Sequence, residues 1–366
     1  MKTVAAVSRL GASHPQLEAL EIEAPRAGEV LVRIVATGIC HTDLRVHAGH
    51  GLAVPRPIVL GHEGAGIVES VGEGVTRLAP GDHVVLSGSS CGHCTSCRNN
   101  LPSYCHEMLQ RNFGGLRMDG TSALSHDGER IFGHFFGQSS FAQLAIASER
   151  TAVKVPKDVP LEILGPLGCG IITGAGAIIN SLQLGAGQTL AVFGTGGVGL
   201  SAVMAARLVG AARIIAIDVL PQRLTLAQEL GATDVIDARA GDAVERIRAL
   251  TGSGVDVSFN TTSSPAVFTH SLECLAMRGV AGFVTAPRGE WHPGMFPMLA
   301  HGHKLQGILG GDAAPQVFIP MLIEYYRQGR LPFDRLMRVY PFEQIGAAFT
   351  DMEQGRTIKP VLRIDA

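Results

Sequence analysis

The chain has 366 residues, 46% of them hydrophobic, 17% charged and 5% aromatic, with a formal net charge of -2. That length predicts two or three domains, and so apolar a composition excludes global disorder. Near-neutral charge excludes nucleic acid and anionic membrane surfaces as partners, both of which call for a basic excess; a small acidic cofactor held by a few local cations remains permitted. Glycine, at 46 residues, exceeds its usual share of about 7% without a G-x-y period, which predicts tight turns and close backbone approaches.

The first 25 residues lack an apolar stretch followed by a small-residue cleavage site, so a cytoplasmic location is expected. Up to about residue 160, short β-like runs alternate with glycine and proline: 31–38, 65–72, 82–88 and 152–156. Residues 164–206 contain no Asp, Glu, Lys, Arg or His. This run is long enough to span a bilayer, but glycine pairs and polar residues break it, so it is read as buried core. From residue 189 strands and helices alternate: strand 189–194, helix 198–210, strand 213–219, and a helix over 221–231 with proline near its start and glycine after its end. Apolar runs at 234–238, 255–262, 279–286 and 305–310 continue the rhythm, which predicts an open parallel sheet. The remainder to the final strand at 360–364 leaves that pattern and is expected to fold back onto the N-terminal part.

Three motifs carry chemistry. Gly194-Thr-Gly196-Gly197-Val198-Gly199 follows a strand and opens a helix, and the next strand ends at Asp218. In a dinucleotide site Gly194 makes the tight turn, Gly196 admits the pyrophosphate and Gly199 allows close helix packing. Asp218 would accept bonds from ribose hydroxyls and repel a 2′-phosphate, which favours NAD over NADP. The competing reading is a glycine-rich turn with Asp218 merely capping the next turn. The second motif, Cys91, Cys94, Cys97 and Cys105, has the spacing C-x2-C-x2-C-x7-C. Four thiolates suit a closed structural zinc site; an iron–sulfur cluster and free or paired surface cysteines are the alternatives. The third set, Cys40, His62 and Cys169, is dispersed, each beside glycine. Two sulfurs and an imidazole would leave a fourth zinc position open for catalysis, but spacing alone does not assemble them and each is also a common buried residue.

In order along the chain, G-I-C-H-T-D, G-H-E-G-A-G-I-V, the four-cysteine segment, G-C-G-x-x-T-G and G-T-G-G-V-G make the sequence resemble the zinc-dependent, medium-chain alcohol dehydrogenases over essentially its whole length. Segments 132–146 and 165–182 are most similar to the aryl-alcohol (benzyl-alcohol) branch. The resemblance implies an α/β chain: a GroES-like catalytic domain over 1–168 carrying both zincs, a Rossmann NAD-binding domain over 169–304, and a return segment over 305–366. It further implies Cys40, His62 and Cys169 as catalytic zinc ligands, Glu63 and Asp43 as carboxylates beside them, and Thr42 as the hydroxyl taking the substrate proton. His41 and Lys359 would meet the pyrophosphate, Arg223 the adenosine, and Thr173 and Val198 the nicotinamide.

One position departs from many relatives: Arg45 stands where a histidine ends the proton relay, so the relay would end in solvent or at a nearby histidine such as His47. The implied reaction is reversible, NAD-dependent oxidation of a primary aromatic or allylic alcohol to the aldehyde. A pocket lined by Phe113, Leu116, Met118, Phe132, Phe135 and Phe136, with Trp291, Phe296 and Met298, is expected. Rival readings are an aliphatic-alcohol or polyol dehydrogenase, the latter disfavoured by Cys169 where a carboxylate is usual, and a zinc-stabilised dinucleotide-binding scaffold. A homo-oligomer, dimer or tetramer, paired through the last strands of the nucleotide-binding sheet, is also expected.

Overall fold

The computed structural model describes residues 1–364 and divides into two units. The first comprises Met1–Cys169, Ala314–Ile323 and the chain from Asp334; the second comprises Gly170–Ala313 and Glu324–Phe333.

In the first unit the strand Glu29–Gly38 is the organising element. It pairs antiparallel with Gly64–Val71, Leu144–Ser148 and Lys359–Arg363. Val30, Val32, Ile34 and Ala36 lie on one face of this strand and are essentially fully buried, the period-2 pattern of a strand. The sheet continues through His83–Leu86 to Ala152–Lys154 on one side and through Met337–Pro341 on the other. A second sheet runs in the order Ile58–Val59, Lys2–Ser8, Gln16–Ile22, Leu124–His126, Glu129–Ile131. The C-terminal strand joins the first unit because Val361 pairs with Gly38 and Leu362 with Thr37. That return starts later than residue 305. Lys304–Gly307 is still hydrogen-bonded in the second unit's sheet, parallel to Leu275–Phe283, and Glu324–Phe333 also belongs to the second unit.

The second unit is built on six parallel strands in the order Asp234–Asp237, Arg213–Asp218, Thr189–Phe193, Val255–Asn260, Leu275–Phe283, Lys304–Gly307. Thr189–Phe193 is central and paired on both sides, which is why four of its five residues are buried. This is a doubly wound Rossmann sheet, whose strand order reverses beside the first strand. The charge-free run of the sequence resolves into the helix Gly170–Gly176, a π-helical turn at Ala177–Ser181, the central strand and the helix Gly197–Leu208. Among the described residues no helix is long and apolar enough to cross a membrane.

Candidate metal centres and dinucleotide site

The helix His41–His47 begins immediately after Cys40, and one carboxylate sets its start. Asp43 Oδ2 accepts from the Cys40 N–H at 2.9 Å, while Asp43 Oδ1 accepts from the Gly61 N–H at 3.1 Å and from His62 Nδ1 at 3.0 Å. Asp43 and the His62 ring are wholly buried. The Nδ1 bond fixes the tautomer and turns Nε2 inward, the orienting role carboxylates play for metal-binding histidines. His62 Nε2 is buried and has no hydrogen-bond partner among the described residues.

That orphaned nitrogen shares its space with two sulfurs. Ligand atoms of Cys40, His62, Glu63 and Cys169 all lie within 4.8 Å of one another. Cys40 is held well below the usual thiol range, first by the hydrogen bond from Cys169 and then, against burial, by the Lys359 ammonium. Cys169 is pushed correspondingly up by Cys40 and by burial. A soft dication would bind both sulfurs as thiolates. Glu63 is committed elsewhere: Lys359 Nζ donates to both its oxygens at 2.9 Å and to the Ile39 carbonyl at 3.1 Å. What is left is a donor set of two sulfurs and one imidazole, which fits zinc with a position open.

Lys359, expected at the pyrophosphate, donates its three N–H groups to Glu63 and Ile39 and is 3% exposed. His41 lies exposed and Thr42 half-buried on the same helix, with Thr42 Oγ1 3.8 Å from Cys40 Sγ.

The four clustered cysteines converge as well, their sulfurs all within 4.8 Å. Cys91 Sγ and Cys97 Sγ are 3.9 Å apart. This is too long for a disulfide of about 2.05 Å and close to the ~3.8 Å edge of a tetrahedron with Zn–S bonds of about 2.3 Å. Backbone N–H groups point at the sulfurs: Cys91 N–H to Cys105 Sγ at 3.2 Å and Cys94 N–H to Cys91 Sγ at 3.3 Å. N–H groups of Cys97 and His106 bring the Cys94 thiol down to about 6, whereas burial pushes Cys105 up to about 11. The donor chemistry fits a closed zinc site.

Phe113, Phe135 and Phe136 gather at His62. The Phe136 ring stacks on the imidazole at 4.4 Å, Phe135 meets it edge-on at 5.6 Å, and Phe113 packs edge-on against both phenylalanines. Phe132 packs into the core; Leu116 and Met118 line a different cavity of about 330 Å³ with Arg26, Arg117 and His134. Trp291 and Met298 pack on the second unit's core, where Trp291 Nε1 donates to Thr269 Oγ1, and Phe296 is 78% exposed.

Of the relay candidates, Arg45 is exposed and His47 is already engaged: Nδ1 accepts from Ser8 Oγ at 2.7 Å and Nε2 donates to the Ala12 carbonyl at 3.1 Å. One residue that the sequence alone did not single out is Gln138. Its side chain is fully buried and bonds the backbone on both sides of Glu63.

In the second unit the glycine motif has the geometry of a phosphate loop. Gly194 has φ +88°, and a Cβ on Gly199 would stand 1.9 Å from the Gly194 carbonyl. A Cβ on Gly196 would meet nothing within 4 Å: this residue, the N-cap of the helix that Gly197 starts, faces open space. Those unobstructed helix-terminal amides suit a pyrophosphate. Asp218 is 7% exposed, with Oδ2 accepting from Thr195 N–H (2.7 Å) and Oγ1 (2.8 Å), and Oδ1 from the N–H groups of Val219 (2.8 Å) and Leu220 (3.0 Å). It sits at the strand end and caps the following turn. Arg223, on the helix Pro221–Leu230, has a buried Nε without a partner among the described residues. Thr173 and Val198 lie on helices in close contact, because a Cβ on Gly174 would stand 2.1 Å from the Val198 carbonyl.

Comparison with known proteins agrees with this construction. Residues 26–157 match the alcohol dehydrogenase GroES-like domain and residues 197–325 the zinc-binding dehydrogenase domain. The chain is 49% identical over 362 residues to a geraniol dehydrogenase of Castellaniella defragrans, covering 98% of this chain and 96% of that one. The structure of an alcohol dehydrogenase zinc-binding domain protein from Burkholderia ambifaria superposes with a TM-score of 0.98 at 51% identity, and covers the whole of both chains. That of benzyl alcohol dehydrogenase from Acinetobacter calcoaceticus does so with a TM-score of 0.96 at 44% identity, again over both complete chains. With its two cysteine-built centres, its Rossmann sheet and relatives of this identity over its full length, the chain belongs to the zinc-dependent medium-chain alcohol dehydrogenases.

Proposed function

We propose that this enzyme oxidises a primary aromatic or allylic alcohol to the aldehyde with NAD, using one zinc at Cys40, His62 and Cys169 and holding a second at Cys91, Cys94, Cys97 and Cys105. The observation that carries the substrate class is the set of phenylalanine rings at His62, with Phe136 stacked on the imidazole. The geraniol and benzyl alcohol dehydrogenases among the relatives support the same class. An apolar wall gains roughly 25 cal/mol per Å² of apolar substrate buried. Ethanol uses little of it, and each unpaired hydroxyl of a polyol costs about 1–3 kcal/mol.

When bound, zinc supplies Lewis acidity toward the alcohol oxygen, and NAD accepts the hydride. The chain's own residues do the rest. Thr42 Oγ1, 3.8 Å from Cys40 Sγ, receives the alcohol proton and passes it outward. His47 is tied by both nitrogens and Arg45 is a permanent cation, so the proton leaves to solvent. Glu63, neutralised by Lys359, stands beside the ligands as a carboxylate that tolerates burial. The amides at Gly196, Gly197 and Val198 receive the pyrophosphate, with Arg223, Thr173 and Val198 completing the cofactor contacts of the second unit. Asp218 already accepts four bonds, so it acts on cofactor choice chiefly by repelling a 2′-phosphate.

We also propose a homo-oligomer, dimer or tetramer, through the edge strand Lys304–Gly307. Met277, Met295, Phe296 and Leu299 are each 70% or more exposed on the strand before it and on a helix against that strand. All seven cysteines are free, which supports a cytoplasmic, reducing location.

The test of function is an alcohol panel at saturating NAD. Benzyl alcohol and geraniol should exceed ethanol and sorbitol in kcat/KM; parity of ethanol or sorbitol with benzyl alcohol sinks the substrate class. Metal analysis should find two zincs per chain. Cys169→Ser should abolish activity in a folded protein, whereas Cys94→Ser should lower stability. A species of 38.5 kDa in sedimentation at micromolar concentration would refute the oligomer.

A further inference from the structure

His62 lies in the short segment Gly61–Gly64, and residues 138–141 run against its whole length. Phe141 N–H donates to the Leu60 carbonyl at 3.1 Å and Ser140 N–H to the Gly61 carbonyl at 2.9 Å. Ser139 Oγ donates to the Val59 carbonyl at 2.5 Å. The approach is so close that a Cβ on Gly61 would fall 2.6 Å from the Phe141 nitrogen, and one on Gly64 2.7 Å from Ser140 Cβ. At the zinc-ligand end of this contact the backbone ladder stops and one side chain takes over. Gln138 Nε2 donates to the His62 carbonyl at 3.1 Å and to the Ser87 carbonyl at 3.4 Å, and Gln138 Oε1 accepts from the Gly64 N–H at 3.1 Å. Gln138 is 0% exposed. The partners dictate the amide orientation, because a carbonyl needs a donor and an N–H needs an acceptor.

We propose that Gln138 is a positioning residue for the catalytic metal site: by holding the peptide groups on both sides of Glu63, it sets where His62 presents its Nε2. The two constraints on His62 are complementary. Asp43 fixes the ring through Nδ1, and Gln138 fixes the main chain that carries the ring. Because the segment that supplies Gln138 also carries Phe135 and Phe136 onto the imidazole, metal geometry and the aromatic wall share one support. An unmade bond here leaves buried polar groups with no water to replace it, so the segment would shift to find other partners.

The proposal rests on the assignment of zinc to Cys40, His62 and Cys169, and the experiment separates the two. Holoenzyme and two variants are titrated with a zinc chelator, with the four-cysteine zinc as internal reference. Gln138→Glu keeps the acceptor for Gly64 and loses the donor; Gln138→Met loses both. Outer contacts of metal ligands are commonly worth about 10–100-fold in metal affinity. Gln138→Met should therefore lose one zinc at a chelator concentration at least about tenfold lower than the wild type, with the other zinc unaffected, and Gln138→Glu, whose second oxygen faces the His62 and Ser87 carbonyls, should lose it at least as readily. Leu20→Ala, a cavity variant in the same unit's core, controls for general destabilisation. Two zincs held as tightly as in the wild type overturn the proposal, as does equal loss from Leu20→Ala. If Gln138→Met does not fold, the comparison of Gln138→Glu with Leu20→Ala decides by the same criteria. A wild type that holds only the four-cysteine zinc overturns the metal assignment itself, and this proposal with it.

Discussion

The Phe136 ring lies on the His62 imidazole with centroids 4.4 Å apart and planes inclined by 23°. Phe136 holds this place at φ 52°, in the left-handed region, followed by Gly137 at φ 67°. A bulky residue in that region is strained, and such strain persists where surrounding contacts over-determine it. Here those contacts are Phe113, Phe135 and the imidazole. Phe136→Ala should lower kcat/KM for benzyl alcohol by about tenfold, since an aromatic pair contributes about 0.5–1.5 kcal/mol beyond area burial. The value for ethanol should change little. Equal losses on both alcohols would mean the ring supports His62 without touching substrate.

Lys359 and Glu63 form an ion pair with side chains 4% and 0% exposed. Burial raises the Glu63 carboxyl above its usual range even with the ammonium beside it. Lys359→Met should destabilise the protein by about 3–5 kcal/mol, the common cost of leaving one buried partner unpaired. Lys359→Met combined with Glu63→Gln should recover much of that loss in thermal melting. If the single variant melts like the wild type, the pair contributes nothing to the fold.

His134 is buried, and burial together with repulsion by Arg117 depresses its imidazole from 6.5 to about 4. Between those values the unfolded chain binds a proton that the folded chain does not, so stability falls as pH drops through 6.5 toward 4. Above 6.5 both states are neutral and the effect vanishes. Between pH 7 and pH 5 this one residue should cost about 2 kcal/mol. His134→Gln should melt with a correspondingly smaller loss over the same interval, provided zinc content is matched; an unchanged pH slope would refute the assignment.

Asp218 receives four hydrogen bonds, two from Thr195 and two from the turn after the strand. Steady-state kinetics of the wild type should favour NAD clearly over NADP. Asp218→Gly should narrow the preference, partly by removing negative charge from the ribose site and partly by loosening the loop that Thr195 anchors. Equal use of both cofactors by the wild type would show that Arg223 outweighs the carboxylate.

Much of the fold is legible in the sequence, because its signals are local. The strand–helix alternation from 189, the proline and glycine around the helix Pro221–Leu230, and the four cysteines within fifteen residues all act over a few turns of chain. Position in three dimensions adds little to them. The dispersed set is different. Cys40, His62 and Cys169 are linked by the antiparallel pairing of Glu29–Gly38 with Gly64–Val71 and by the turn that ends at Cys169, relations that no spacing in the sequence expresses. For these residues family resemblance supplied the grouping, and the buried, unpartnered Nε2 of His62 gives it a physical reason.

The sequence by itself determined the classes of chemistry on offer: clustered cysteines that suit a metal, a glycine turn that suits a phosphate, and apolar strands for two cores. Those depend on residue type and short-range geometry, which the chain carries with it. Only the tertiary structure decided which side chains share a space. It put Phe135 and Phe136 on His62 with Phe113 behind them, and sent Leu116 and Met118 to another cavity. It turned Lys359 onto Glu63 and seated Gln138 against the backbone around that same residue. Such choices rest on desolvation: once buried, a charge or an amide must be satisfied by whatever partner the fold brings within about 3 Å, and that partner lies hundreds of residues away as readily as four.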